Sequence, residues 1–182
     1  MKTNITQALV DEHRLILRMI ALLEKNAPLT AEGNYLNWQF YLDGVDFIRQ
    51  YADRFHHAKE EDVLFKALID NGMPREHSPV AAMLMEHDLG RDFVRAMAAA
   101  VHDAQSGFSS SYQIIADNAL GYAALLRDHI SKEDDILYPL AERVIPEAMR
   151  GEIIQGYQAA EAQMSPEFGT RYHAVVLQYE QH

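Results

Sequence analysis

The stretch HHAKEEDVLF at residues 56–65 occurs a second time, in altered form, as HISKEDDILY at residues 129–138. Aligned without gaps, the two copies share a histidine, a lysine, a glutamate, an acidic pair, an aliphatic residue, a leucine and an aromatic residue. Each copy spaces a histidine and a glutamate four residues apart, which places both side chains on one face of an α-helix, one turn apart. An imidazole beside a carboxylate is a suitable pair of ligands for a transition metal.

The repeat extends upstream of both copies. The tripeptide DEH at residues 11–13 precedes the first copy, and MEH at residues 85–87 precedes the second. The sequence distance from each of these histidines to the copy that follows is nearly the same. Each half of the chain is therefore interpreted as one helical hairpin that contributes half of a single site.

Composition restricts the class of protein. A chain of 182 residues that is 48% hydrophobic suits one domain with a sizeable core. The absence of cysteine excludes disulfides, thiolate metal sites and a cysteine nucleophile, and it fits a reducing compartment. A net charge of -11 disfavours nucleic acid and anionic membrane surfaces as partners. Since no apolar run resembles a spanning helix or a signal peptide, we expect a cytoplasmic protein.

Apolar residues recur at helical spacing through most of the chain, and no segment alternates as a strand would. The pattern predicts four long helices, at about residues 5–25, 34–69, 78–105 and 112–145. Pro28 and Gly33 mark the first loop, and Pro139 is expected to kink or interrupt the fourth helix. Two shorter helices are expected at about residues 147–163 and 171–179. The predicted fold is all-α, an up-down-up-down four-helix bundle at residues 1–145 with a helical C-terminal extension at residues 146–182.

The helical period also predicts which side chains of the first copy face the core. His56 and Glu60 lie on the apolar face of the second helix, whereas His57 and Glu61 lie on its polar face. The repeat agrees with this phase, because it aligns His57 with Ile130. We therefore expect His56 and Glu60 to point inward and His57 and Glu61 to point outward.

Six side chains converge in this bundle: His13, His56, Glu60, His87, His129 and Glu133. A single histidine on an apolar stripe is more often a core residue than a ligand, but two inward carboxylates without partners would be costly to bury. A metal offsets that cost. One or two metals fit the six groups, and a carboxylate from each half suits bridging between two cations. Imidazole binds Zn, Cu, Fe and Ni, so the ligands do not identify the metal.

The sequence resembles the hemerythrin-like, or HHE cation-binding, domain family over about residues 8–143. The resemblance rests on the motifs at residues 11–13, 56–65, 85–87 and 129–139. It implies a non-haem centre of two Fe ions with an oxo or hydroxo bridge. In that centre the four histidines would be terminal ligands, Glu60 and Glu133 would be bridging carboxylates, and a free position would accept a gaseous or peroxide ligand.

Two departures from the classical oxygen carriers of this family bear on function. Those proteins have a fifth histidine one turn before the third-helix ligand, where this chain has Met83. They also place an aspartate five residues after the last histidine. Here Glu133 stands at four residues and Asp134 at five, so Asp134 remains an alternative bridge. The missing histidine argues against reversible oxygen carriage and leaves one metal less saturated.

Three functions therefore remain open. The first is a di-iron protein that senses oxygen, NO or redox state, or handles iron. The second is a di-iron oxidase, peroxidase or NO-reducing enzyme, and the third is an interaction bundle stapled by a redox-silent metal such as Zn. His57, Glu61, Glu12 and Glu86 are additional ligand candidates, but solvated helix faces are the simpler interpretation of all four. The acidity and the helical tail are compatible with a homodimer.

Overall fold

A computed structural model describes residues 2–181. Met1, the first residue of the predicted bundle, and His182, the last residue of the predicted extension, lie outside the described residues. Within that span the chain forms helices and no strand. The six helices are α1 at Gln7–Ala31, α2 at residues 38–70, α3 at Pro79–Gln105, α4 at residues 111–144, α5 at Glu147–Glu161 and α6 at Phe168–Glu180. Helix α4 packs against α1 and α3, and α2 packs against α3. The predicted all-α bundle is confirmed, while its up-down-up-down order stays a prediction.

Helices α2 and α4 contain π-helical segments, in which each N–H bonds the carbonyl five residues back. In α2 they span Ile48–His57 and Glu60–Leu64, and in α4 the segment spans Glu133–Leu137. The last two begin at the glutamate of each repeat copy and end at its leucine. Such π turns are rare and are frequently found at functional sites. The repeat therefore reproduces a local backbone distortion as well as a set of side chains.

Two prolines affect the helices less than predicted. Helix α4 continues through Pro139 to Val144, so the predicted interruption is wrong, while the alternative of a kink stays a prediction. Pro139 follows the π segment closely, as the second residue of the α-helical segment Tyr138–Val144. Helix α1 likewise continues through Pro28 to Ala31, beyond the predicted end near residue 25. Its last turn is held by packing, because the buried Thr30 hydroxyl lies 2.7 Å from the Tyr41 hydroxyl.

A polar layer divides the hydrophobic core into two clusters. The larger cluster includes Ile16 of α1, Ala52 of α2, Val94 of α3 and Leu126 of α4. The smaller cluster includes Leu9, Leu64, Met83 and Leu137 of the same four helices. On every bundle helix, one of the predicted ligand histidines lies between a residue of the larger cluster and a residue of the smaller one.

The two C-terminal helices pack on the bundle. Helix α5 lies against α2, where a Cβ on Gly156 would come within 2.9 Å of Val63 Cγ1, so glycine permits this close approach. Helix α6 lies against α1 and α2, and the Tyr172 hydroxyl donates to Asp46 at 2.9 Å. The division at residues 145 and 146 into bundle and extension stays a prediction. Among the described helices, none combines the length and the apolarity needed to cross a bilayer.

Candidate metal centre

The six predicted ligand side chains meet in the polar layer between the two apolar clusters. All six are buried, and Glu60 and Glu133 have no exposed surface. The four histidines form two facing pairs. His13 Nε2 lies 3.0 Å from His56 Nε2, and His87 Nε2 lies 3.1 Å from His129 Nε2. We call the pair from α1 and α2 the first half-site and the pair from α3 and α4 the second half-site.

Each glutamate lies between the two half-sites. Glu60 Oε2 lies 3.7 Å from His56 Nε2 and 3.4 Å from His87 Nε2. Glu133 Oε2 lies 3.4 Å from His13 Nε2 and 3.3 Å from His129 Nε2. Each carboxylate therefore lies close to one imidazole of each pair. A ligand that bridges two cations would occupy such a position.

The outer nitrogen of each of these histidines bonds a carboxylate. His56 Nδ1 donates to Glu12 and His129 Nδ1 donates to Glu86, both at 2.9 Å. The other two pairs are His13 Nδ1 with Asp134 at 2.9 Å and His87 Nδ1 with Glu61 at 2.7 Å. An ionised carboxylate only accepts, so each Nδ1 carries a proton and each Nε2 is directed at the centre. Metal-binding histidines are typically oriented in this way.

These bonds correct three interpretations from the sequence. Glu12 and Glu86 do not belong to solvated faces, because each is largely buried against an imidazole. Glu61 is partly exposed, but its carboxylate is engaged by His87 and Arg91. Asp134, the alternative bridge, lies on the outer side of His13 rather than between the half-sites.

Two lysines hold the carboxylates of the upstream tripeptides. Lys59 is fully buried and bonds Glu12, and it also bonds Glu161 of α5 at 3.0 Å. Lys132 bonds Glu86 at 2.6 Å and is partly exposed. Both lysines were missed as functional residues in the sequence. The signal was present, because the lysine is one of the residues that the two repeat copies share.

A cation fits the centre better than any other content. Three carboxylate oxygens, Glu60 Oε2 and both oxygens of Glu133, are buried without a hydrogen-bond partner in the described part of the chain. Burying an ionised carboxylate without partners is strongly unfavourable. Four imidazole nitrogens surround these oxygens, and two facing lone pairs about 3 Å apart repel unless a proton or a cation lies between them. The donor set matches that of transition-metal sites.

In the absence of a metal, protons on the histidines balance the negative charge of the buried carboxylates. Burial alone lowers the pKa of His13, but the hydrogen bond to Asp134 and the negative charge of the nearby Glu133 outweigh it and raise that pKa to about 10. For His87, burial is outweighed by Glu60 and Glu61, and the pKa rises to about 9. Burial raises the pKa of Glu60, yet the nearby imidazoles hold it well below its usual value. Each facing pair thus retains a proton where a cation would bind.

The aromatic residue that ends each repeat copy covers one histidine. The Tyr138 ring stacks on His13 at 5.6 Å, and its hydroxyl donates to Glu60 Oε1 and lies 3.4 Å from His13 Nε2. Phe65 stacks on His87 at 6.0 Å and has no hydroxyl to donate. Tyr138 therefore gives Glu60 a partner that Glu133 does not have.

The predicted outward direction of His57 is wrong. His57 is buried, and its ring stacks on His87 with centroids 3.7 Å apart and planes within 10°. It lies at the end of the π segment Ile48–His57, where each residue rotates less about the axis than in an α-helix, so His56 and His57 both face inward. Burial, together with the charge of His87, lowers the pKa of His57 to about 3, so the ring stays neutral.

A cavity of about 230 Å³ leads to the second half-site. His57, His87 and His129 line its inner end, together with Tyr122, whose buried hydroxyl has no hydrogen-bond partner within residues 2–181. Arg49, Arg91 and Arg95 also line it. Met83, which stands where classical relatives have a fifth histidine, is buried in the smaller apolar cluster.

The family comparison agrees with this geometry. The family model described as the hemerythrin HHE cation binding domain matches residues 4–141, a span that contains all six predicted ligands. No curated protein and no solved structure matches the chain. Because this match spans well over half of the sequence, the chain belongs to the hemerythrin HHE cation-binding family.

Proposed function

We propose that the protein binds two iron ions in a non-haem centre and responds through them to oxygen, NO or redox state, or handles iron. His13 and His56 would hold one ion, and His87 and His129 would hold the other. Glu60 and Glu133 would be ligands to both. The observation that carries the proposal is the set of three unpartnered carboxylate oxygens enclosed by four Nε2 atoms.

The chain's own residues would prepare the site for this role. The four outer carboxylates fix which imidazole nitrogen faces inward, and the two apolar clusters exclude bulk water from either side. Bound iron would supply reversible electron transfer and an affinity for small oxygen and nitrogen ligands. The cavity beside His87 and His129 offers such a ligand a route from the surface.

A second candidate is an enzyme that reduces peroxide or NO, or oxidises a substrate, at the same centre. The size of the cavity favours it, because about 230 Å³ is far more space than one water molecule requires. The unpartnered Tyr122 hydroxyl gives the cavity a hydrogen-bond donor for such a substrate. Sustained consumption of peroxide or NO by the iron-loaded protein would select this function over sensing.

The test is anaerobic loading with Fe(II), followed by optical titration with oxygen and with NO. We expect two irons per chain and a spectral change that saturates with the added ligand. The matched control is the double variant Glu60→Gln and Glu133→Gln, which removes both bridges. A protein that binds zinc in preference, is silent to both gases and unfolds on chelation would contradict the proposal and indicate a structural metal.

A further inference from the structure

We propose that His57 is a fifth imidazole ligand, which binds the metal of the second half-site together with His87 and His129. This inference rests on the two-metal function proposed above. It assigns three nitrogen ligands to one metal and two to the other. The two ions would therefore differ, although the repeat that holds them is nearly symmetric.

Convergence is the first observation. Nitrogens of His57, His87 and His129 and an oxygen of Glu60 lie within 4.8 Å of one another, and all four residues are buried. His13 and His56 form the corresponding group with Glu60 and Glu133. The two groups share Glu60, so His57 belongs geometrically to a metal position that adjoins the other one.

The orientation of the His57 ring is the second observation. Its Nδ1 lies 3.3 Å from Asp53 Oδ1, and the guanidinium of Arg91 holds that carboxylate with bonds of 2.7 and 3.0 Å. A carboxylate on Nδ1 leaves Nε2 free for a metal, as it does at the four other histidines of the site. His57 therefore has the support that a ligand histidine needs.

Stacking is the third observation. The His57 and His87 rings are nearly parallel, with centroids 3.7 Å apart. In this arrangement a nitrogen of each ring can bind the same cation. At the equivalent position the second repeat copy has Ile130, which cannot bind a metal. The first half-site therefore has no such additional nitrogen from this position of the repeat.

Another grouping around His57 is a weaker metal site. Asp53, His57 and Glu61 also approach one another, but Arg91 donates to both carboxylates, at 2.7 Å and 2.8 Å. A cation there would compete with a guanidinium that is already in place. The position shared with His87, His129 and Glu60 carries no such positive side chain among its four ligands.

The experiment measures metal binding by the full chain with Fe(II) and, separately, with Co(II). His57→Ala removes the imidazole, and His57→Phe keeps a flat ring that can stack on His87 but cannot bind a metal. We expect both variants to bind the second metal at least tenfold more weakly than wild type. The Co(II) absorption spectrum of that metal should also change. The exposed His102 provides the control variant His102→Ala, which should match wild type.

Free imidazole adds a second readout. The cavity reaches His57, so added imidazole should restore the second metal to His57→Ala, whereas His57→Phe leaves no room for it. Circular dichroism of the metal-free variants checks that each one folds. Wild-type affinity for both metals in His57→Ala and His57→Phe would overturn the role of His57 alone. Fewer than two metals in the wild-type protein would instead overturn the proposed function.

Discussion

The two half-sites have the same plan but different surroundings. In both, two facing imidazoles are oriented by carboxylates, and each repeat lysine holds the carboxylate of an upstream tripeptide. The first half-site is closed by the Tyr138 phenol and the fully buried Lys59. The second has Phe65, a partly exposed lysine, the stacked His57 and the cavity. The shared plan explains metal binding, and the differences indicate where an external ligand would enter.

The largest effect is expected from the bridging carboxylates, where the half-sites depend on each other. Glu60→Gln or Glu133→Gln should each weaken both metals, because each carboxylate reaches an imidazole of both half-sites. The loss should exceed the roughly 10–100-fold that removal of an outer partner costs. Elemental analysis of anaerobically loaded protein measures it. Loss of only one metal in either variant would show that the carboxylates do not bridge.

Removal of one histidine from each half-site should separate the two metals. His56→Ala should weaken the metal of the first half-site and leave most of the binding at the second, and His129→Ala should do the reverse. Titration with Co(II) distinguishes the two, because the remaining metal should have a different spectrum in each variant. Identical residual spectra would contradict the assignment of one metal to each pair.

Substitution of the outer carboxylates Glu12 and Glu86 should weaken metal binding equally but should lower the free energy of unfolding unequally. Glu12→Gln and Glu86→Gln each replace the charged acceptor of an Nδ1 proton with a neutral amide, so each should weaken metal binding by roughly 10–100-fold. Glu12→Gln also removes the negative charge that faces the fully buried Lys59. We expect it to lower the free energy of unfolding of the metal-free protein by about 1–3 kcal/mol.

Glu86→Gln should lower the same free energy by less than about 1 kcal/mol, because Lys132 is partly exposed and also pairs with Asp128. Urea denaturation of the metal-free proteins measures both values. Equal losses of stability would show that the burial of Lys59 does not distinguish the half-sites.

The smallest effect is expected from exchanging the two aromatic residues. Tyr138→Phe removes the donor to Glu60 and should lower the free energy of unfolding by about 1 kcal/mol, with both metals retained. Phe65 is the repeat equivalent of Tyr138, so Phe65→Tyr should add a hydroxyl that can donate to Glu133, whose oxygens lack partners, and should be neutral or stabilising. Loss of a metal in Tyr138→Phe would show instead that the phenol is a ligand.

The six central residues could be predicted because the α-helical period and the repeat indicate the same face. His57 could not, because the π segment at Ile48–His57 changes the phase of the helix just before the site. The apolar residues of that segment fit an ordinary α-helical period, so the change of phase cannot be recognised in the sequence. The end of α1 was placed too early for a related reason, since burial of Thr30 outweighs the local preference of Pro28.

The outer carboxylates were misjudged because the helical period separates apolar from polar faces but does not show what a polar face meets. Glu12 and Glu86 meet the backs of imidazoles on neighbouring helices. Their equivalent places in the two halves were visible in the sequence. The repeat was therefore a better guide to these residues than their polarity.

The most direct measurement is the metal content of protein purified without oxygen, determined by elemental analysis per chain. The geometry of two facing imidazole pairs, with two carboxylates that each lie between the pairs, predicts about two irons per chain. About one zinc per chain, or no metal, would contradict the two-iron centre. In that case imidazoles with raised pKa values, among them His13 and His87, would carry the charge that balances the buried carboxylates.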